Sequence, residues 1–155
     1  MARKRKKLGE ILLEWGKISE KQLDQAVGIA KGSRKRLGEA LIEAGFCNEV
    51  DVAKALAAQF DLEFIDIDSK EGSQRVDMTL IPAEVARKHL VLPLGRSGGR
   101  LRLVIHDPLD LELLDLLRFR LGTEIETAVA ARESIRQYFE GAQPGKGGGD
   151  RLFST

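Results

Sequence analysis

The sequence predicts an α+β fold. An N-terminal four-helix unit, made of a tandem helix-turn-helix repeat, precedes a small α/β layer subdomain of three to four strands. Three observations carry this. A stretch of 24 residues is written twice, Lys7 to Ala30 and Arg36 to Gln59. Apolar residues in both copies recur at helical spacing. Near Glu63 the pattern changes to the alternation of strands. The expected divisions are residues 1–60 for the repeat, 61–140 for the α/β subdomain and 141–155 for a flexible tail.

The copies are KLGEILLEWGKISEKQLDQAVGIA and RLGEALIEAGFCNEVDVAKALAAQ, 29 residues apart with KGSRK between them. Eight aligned pairs are identical: Leu8/Leu37, Gly9/Gly38, Glu10/Glu39, Leu12/Leu41, Glu14/Glu43, Gly16/Gly45, Glu20/Glu49 and Ala26/Ala55. Two copies are too few for a solenoid, so they form a pair packed together. In each copy a short apolar-periodic segment ends at Gly16 or Gly45, placed to cap a helix in the left-handed conformation. Ser19 with Gln22 forms a capping box, and Asn48 is an N-cap by itself. A longer helix follows each cap. Trp15 is expected to be substantially buried, as a large aromatic offsetting small residues elsewhere.

Beyond the repeat, Glu63 to Asp68 alternates and suits a short edge strand. Ser69 to Asp77 is polar, contains Gly72 and is expected to be a loop. Pro82 suits a first helical turn. LVLPLG (Leu90 to Gly95) and LRLVIH (Leu101 to His106) form a hairpin around Gly98 and Gly99, with Pro93 favouring an edge strand. Asp110 caps LELLDLLRFRL, which Gly122 closes. GTEIETAVA supplies a third strand, and ARESIRQYFE a last helix. The Gly-rich end lacks a core pattern.

At 155 residues, with 43% hydrophobic residues, the chain can bury a core. A net charge of +1 gives no global bias toward nucleic acid. Basic runs at Arg3–Lys7 and Lys31–Arg36 lead into the two copies, where they serve as solvated loops or as anion-binding ends. The single cysteine, Cys47, excludes an internal disulfide. No apolar run approaches the ~20 residues of a membrane span and no signal peptide is visible, so a cytoplasmic protein without direct membrane insertion is expected.

The doubled motif resembles the MshEN domain, a cyclic-di-GMP-binding module within the N-terminal domains of type II secretion and type IV pilus assembly ATPases of bacteria. That motif begins Arg-Leu-Gly, has a second Gly seven residues on, then spaced leucines, and ends in Gln. IPAEVARKHLVLPL, IHDPLDLELLD and RLGTEIE in the second half match too. The resemblance spans roughly Lys7 to Glu140. It implies a non-catalytic cyclic-di-GMP sensor in a secretion, pilus or motility system, with a protein partner in that machine.

A cyclic dinucleotide is pseudo-two-fold, and a tandem repeat presents two similar half-sites to it. Lys7 and Arg36 precede helix starts in equivalent places and suit its phosphates. Gly9 and Gly38 either admit backbone close to the ligand or allow tight helix packing. Leu8, Leu23, Val27, Leu37, Val52 and Leu56 either stack on base faces or belong to the core. Gln59 suits a guanine edge. Asp107 corresponds to an aspartate that reaches the ligand in the family, or it ends the strand in an Asp-Pro turn. The first copy departs from the motif. Lys7 replaces Arg, losing the planar fork, and Ala30 replaces Gln. Arg5, two residues earlier, can compensate. The second copy is therefore expected to carry the complete half-site.

Two other readings stand beside this one. A protein-interaction module of the same fold that has lost the nucleotide is favoured by Lys7 and Ala30. A helix-turn-helix DNA binder is disfavoured by near-zero charge and the Glu-rich helices, so no DNA partner is expected. No enzyme and no catalytic residue is expected, nor any cofactor beyond the ligand itself. GAQPGK (Gly141 to Lys146) has three residues between its glycines where a phosphate loop has four. His89 and His106 are isolated, so no metal site is expected.

Overall fold

The structure is a computed structural model and describes residues 6–141. The tail expected at 141–155 lies almost entirely outside the described residues, as does Arg5. The chain divides into two compact units, residues 1–62 and 63–155.

The first unit is helical among its described residues: α1 Leu8–Glu14, α2 Glu20–Ser33, α3 Leu37–Glu43 and α4 Glu49–Gln59. The caps follow the sequence. Ser19 Oγ accepts the Gln22 backbone N–H at 3.1 Å, while Gln22 Oε1 accepts the Ser19 N–H at 3.0 Å. Asn48 Oδ1 accepts the Asp51 N–H at 2.8 Å. Gly16 and Gly45 adopt φ of 72° and 78°, where a Cβ would be strained. The main helix contacts cross between the copies, although Gly9 of α1 and Gly38 of α3 also abut the long helices of their own copies. α1 lies against α4 and α2 against α3, so each short helix rests on the long helix of the other copy. Their shared core holds Ile11, Leu12, Ile18, Ala26, Ala40, Leu41 and Ala55. Neither copy could bury its apolar face alone.

Trp15 departs from expectation, with 42% of its surface exposed. It is the C-cap of α1, and its counterpart Ala44, the C-cap of α3, is exposed as well. The position faces outward in both copies, so side-chain size there has no effect on filling the core.

Among its described residues the second unit has three strands, β1 Leu92–Ser97, β2 Arg100–Ile105 and β3 Glu124–Val129, in the order β1-β2-β3. β1 and β2 form an antiparallel hairpin turned by Gly98 and Gly99 at φ of 58° and 81°. β1 is an edge strand with a register shift between Pro93 and Gly95, as Pro93 requires. β3 runs parallel to β2, and α7 (Leu111–Leu121) makes the crossover. Alternation gives the sheet two buried faces. Leu101, Leu103, Ile105 and Ile125 pack with Val85 and Ala86 of α6 (Ala83–His89) and with Leu114 and Leu117 of α7. Leu92, Val104 and Ala128 pack with Ile65, Ile67 and the Ile135 and Tyr138 side chains of α8 (Arg132–Phe139).

Two expectations for 63–77 change. Glu63 to Asp68 forms only one isolated bridge, Phe64 to Val129, and no strand. Asp66 Oδ1 accepts the Asp68 N–H at 3.1 Å and Asp66 O accepts the Ser69 hydroxyl at 2.7 Å, which turns the backbone away from the sheet. The expected loop contains α5, Lys70–Gln74, capped by Ser69. A Cβ on Gly72 would lie 1.9 Å from Asp66 O, so only glycine fits this turn. Glu63 itself pairs with Arg75 at 2.9 Å and Arg102 at 3.0 Å. Hydrogen bonds from Arg75 and then Arg102 hold its carboxyl below the usual glutamate range.

Candidate functional site

Lys7 and Arg36 are the N-cap residues of α1 and α3, with almost the same backbone: φ/ψ of −80°/154° and −74°/154°. Glu10 Oε1 accepts the Lys7 N–H at 2.8 Å, and Glu39 Oε1 accepts the Arg36 N–H at 3.0 Å. Both basic residues are exposed. One position earlier, Lys6 pairs with Glu14 at 2.6 Å and Lys35 pairs with Glu43. These clamps run the length of each short helix and hold the approach to each N-cap in one path. They were legible in principle, because the repeat extends back through Arg5/Arg34 and Lys6/Lys35, both identical pairs.

Gly9 and Gly38 are buried packing glycines. A Cβ on Gly9 would meet Leu23 Cδ1 at 2.7 Å, and one on Gly38 would meet Val52 Cγ1 at 2.9 Å. Leu8 Cδ2 would lie 3.5 Å from that Gly38 Cβ, so the motif positions of the two copies meet. Leu8, Leu23 and Leu37 line the margin of the shared core, half-buried. Val27 and Leu56 are half-buried too, while Val52 is buried. Packing thus accounts for the glycines and for Val52, and leaves five apolar side chains with surface to offer a planar ligand.

The ends of the long helices have neighbours of two kinds. The Lys35 N–H donates to Ala30 O at 3.1 Å, so Ala30, at the end of the first copy, sits beside the Arg36 start of the second. The packing of α1 on α4 sets the Lys7 helix against the helix that ends in Gln59. The neighbourhood of Ala30 and Arg36 is local, set by the left-handed C-cap of α2 at Arg34, whereas the approach of α1 to α4 is long-range.

Asp107 belongs to the second unit, just after β2. Its Oδ1 accepts the Leu109 N–H at 3.0 Å, the bond of an Asp-Pro turn. Cys47 occupies the place of Ile18, packs on the core, and burial pushes its thiol upward. Among the described residues no group of three or more His, Cys, Asp or Glu could hold a metal ion. No helix there is long and apolar enough to cross a membrane.

Comparison with known proteins agrees with this architecture. A solved structure of MshE with cdg is 36% identical, with a TM-score of 0.71, covering 89% of this chain and 99% of that one. The N-terminal domain of XpsE, 24% identical with a TM-score of 0.64 over 90% of this chain and 97% of that one, shares the fold. The type IV pilus assembly ATPase PilB of Myxococcus xanthus (strain DK1622) is 34% identical over 134 residues, 86% of this chain. The chain spans 24% of that protein's length. The family described as MshEN domain matches residues 60–149, over half of the sequence. By its sequence match and its architecture together, the chain belongs to the MshEN domain family.

Proposed function

We propose that this chain is a non-catalytic regulatory domain that binds cyclic-di-GMP and acts within a pilus or secretion machine. The observation that carries the reading is the likeness to MshE with cdg, which runs through the repeat as well as the second unit. The repeat supplies what a pseudo-two-fold dinucleotide needs. Lys7 and Arg36, with Arg5 nearby in sequence, are cations for its two phosphates. Leu8, Leu23, Val27, Leu37 and Leu56 give apolar surface for the bases, on a frame set by Gly9, Gly38 and Val52. Gln59 is an amide for a guanine edge. Isothermal titration calorimetry of the folded protein with cyclic-di-GMP tests this. Saturable heat with one dinucleotide per chain is expected. A folded protein that gives no heat at millimolar ligand overturns it.

A second reading has its own observation in favour. Lys7 and Ala30 are departures from the motif, both in the first copy. Two lost polar contacts of about 1–3 kcal/mol each would weaken binding by roughly 30- to 10⁴-fold. At the upper end the domain would serve as a protein-interaction module of the same fold. Absence of heat in the same titration selects this reading.

A further inference from the structure

Exposed large apolar side chains are not spread evenly over the described residues. Leu109, Leu111, Leu116 and Phe119 cluster at and just before α7, with Phe119 84% and Leu111 66% exposed. At about 100° per residue, Leu116 and Phe119 lie on the face away from the buried Leu114 and Leu117, whereas Leu111 stands about 60° from Leu114, at the edge of that outer face. Single exposed leucines need no explanation, whereas a stripe on one helix face does. The stripe is also polarised. Glu112 and Asp115 occupy the N-terminal half of α7, and Arg118 and Arg120 the C-terminal half. That order suits the helix dipole, but the dipole gives no reason for Phe119 to stand in water.

We propose that α7 is a self-association surface through which two copies of this chain pair, helix against helix, antiparallel and related by a two-fold axis. A two-fold axis brings the same patch together from both partners. The antiparallel arrangement sets each acidic half against the other copy's basic half and buries Leu116 and Phe119 between them. A parallel pairing would oppose like charges along the whole stripe. The polarity of α7 therefore singles out a second copy as the occupant. One helix pair of eleven residues falls at the small end of specific interfaces, below about 1,200 Å², so the dimer is weak, with Kd in the micromolar to millimolar range.

Sedimentation equilibrium of the full chain, from about 10 µM to about 1 mM, reads the association. The wild type is expected to shift from monomer toward dimer over that range. Phe119→Asp, at an exposed position where the fold does not depend on the ring, is expected to weaken it at least about 30-fold. Arg118 already pairs with Asp115 of its own helix at 2.9 Å, so the charge test falls on Glu112 and Arg120. Glu112→Arg or Arg120→Glu alone is expected to weaken the dimer about 3- to 10-fold, and the two together to restore it. A monomer throughout, a dimer that Phe119→Asp leaves intact, or a double variant no better than the single ones overturns the proposal. A chain that associates only after residues 142–155 are removed also overturns it, in favour of its own terminus as the occupant.

Discussion

Leu12 and Leu41 are fully buried, as are Ala26 and Ala55, whereas Trp15 and Ala44 both face solvent. Compared pair by pair, the identical positions of the two copies each serve the fold, although core pairs such as Ile11/Ala40 differ. Leu12/Leu41 and Ala26/Ala55 fill the shared core, and Leu8/Leu37 line its margin. Gly9/Gly38 admit the long helices, and Gly16/Gly45 take positive φ. Glu10/Glu39 accept the N-cap amides, Glu14/Glu43 hold the Lys6 and Lys35 clamps, and Glu20/Glu49 sit in first turns. The copies diverge at Lys7/Arg36 and Ala30/Gln59, the polar positions proposed for the ligand. Repetition here reports on folding, and the proposed difference between half-sites lies in what the repeat does not share.

The strongest test of that comparison is the shared core. Leu12→Ala and Leu41→Ala should each destabilise the protein by about 2–5 kcal/mol. Urea denaturation should give nearly equal losses, and a much smaller loss at either site would break the equivalence. The glycines should break the symmetry instead. Gly38→Ala drives a Cβ into Val52 Cγ1, fixed on a stiff β-branched side chain, and should cost about 1–3 kcal/mol. Gly9→Ala meets only the far end of Leu23, and the gain in helix propensity, up to about 1 kcal/mol, offsets part of the strain. The same denaturation series ranks the two, and the reverse order would contradict this packing.

Binding sharpens the comparison further. Under the proposed function, Arg36→Ala should weaken cyclic-di-GMP binding roughly 10- to 100-fold, a charged hydrogen bond lost. Lys7→Ala should cost less, its ammonium being hydrated and mobile. Ala30→Gln should strengthen binding by about 1 kcal/mol. Because Ala30 adjoins Arg36, its gain should shrink in the Arg36→Ala background and persist in the Lys7→Ala one. Calorimetric double-mutant cycles read this directly, and additivity with Arg36→Ala would show that the two positions do not act on the ligand together. The smallest expected contrast is between the caps. Ser19→Ala and Asn48→Ala should each cost about 1 kcal/mol by thermal unfolding, Ser19 slightly more because its reciprocal bond with Gln22 is lost too. A larger effect at Asn48 would mean that the capping box adds nothing to the single cap.

Most local structure was legible because its causes are local. Gly16, Gly45 and Gly122 end helices, Ser19, Asn48 and Asp110 start them, and Gly98-Gly99 turns the hairpin. The strand expected at Glu63 to Asp68 failed because Asp66 bonds its own neighbours, a competition that alternation of polarity does not reveal. Trp15 failed because apolar size says nothing of direction: the outward face of a C-cap is a property of the packed unit.

The sequence by itself determined that there are two helical copies and where each of their helices begins and ends. It could not determine which helix packs on which, since α1 against α4 and α1 against α2 bury equivalent apolar stripes. Only the tertiary structure decided for the exchanged arrangement of α1 on α4 and α2 on α3. Side-chain chemistry is encoded residue by residue, whereas partnership depends on long-range packing, where two short helices that cannot bury their faces alone must find their cover on another element.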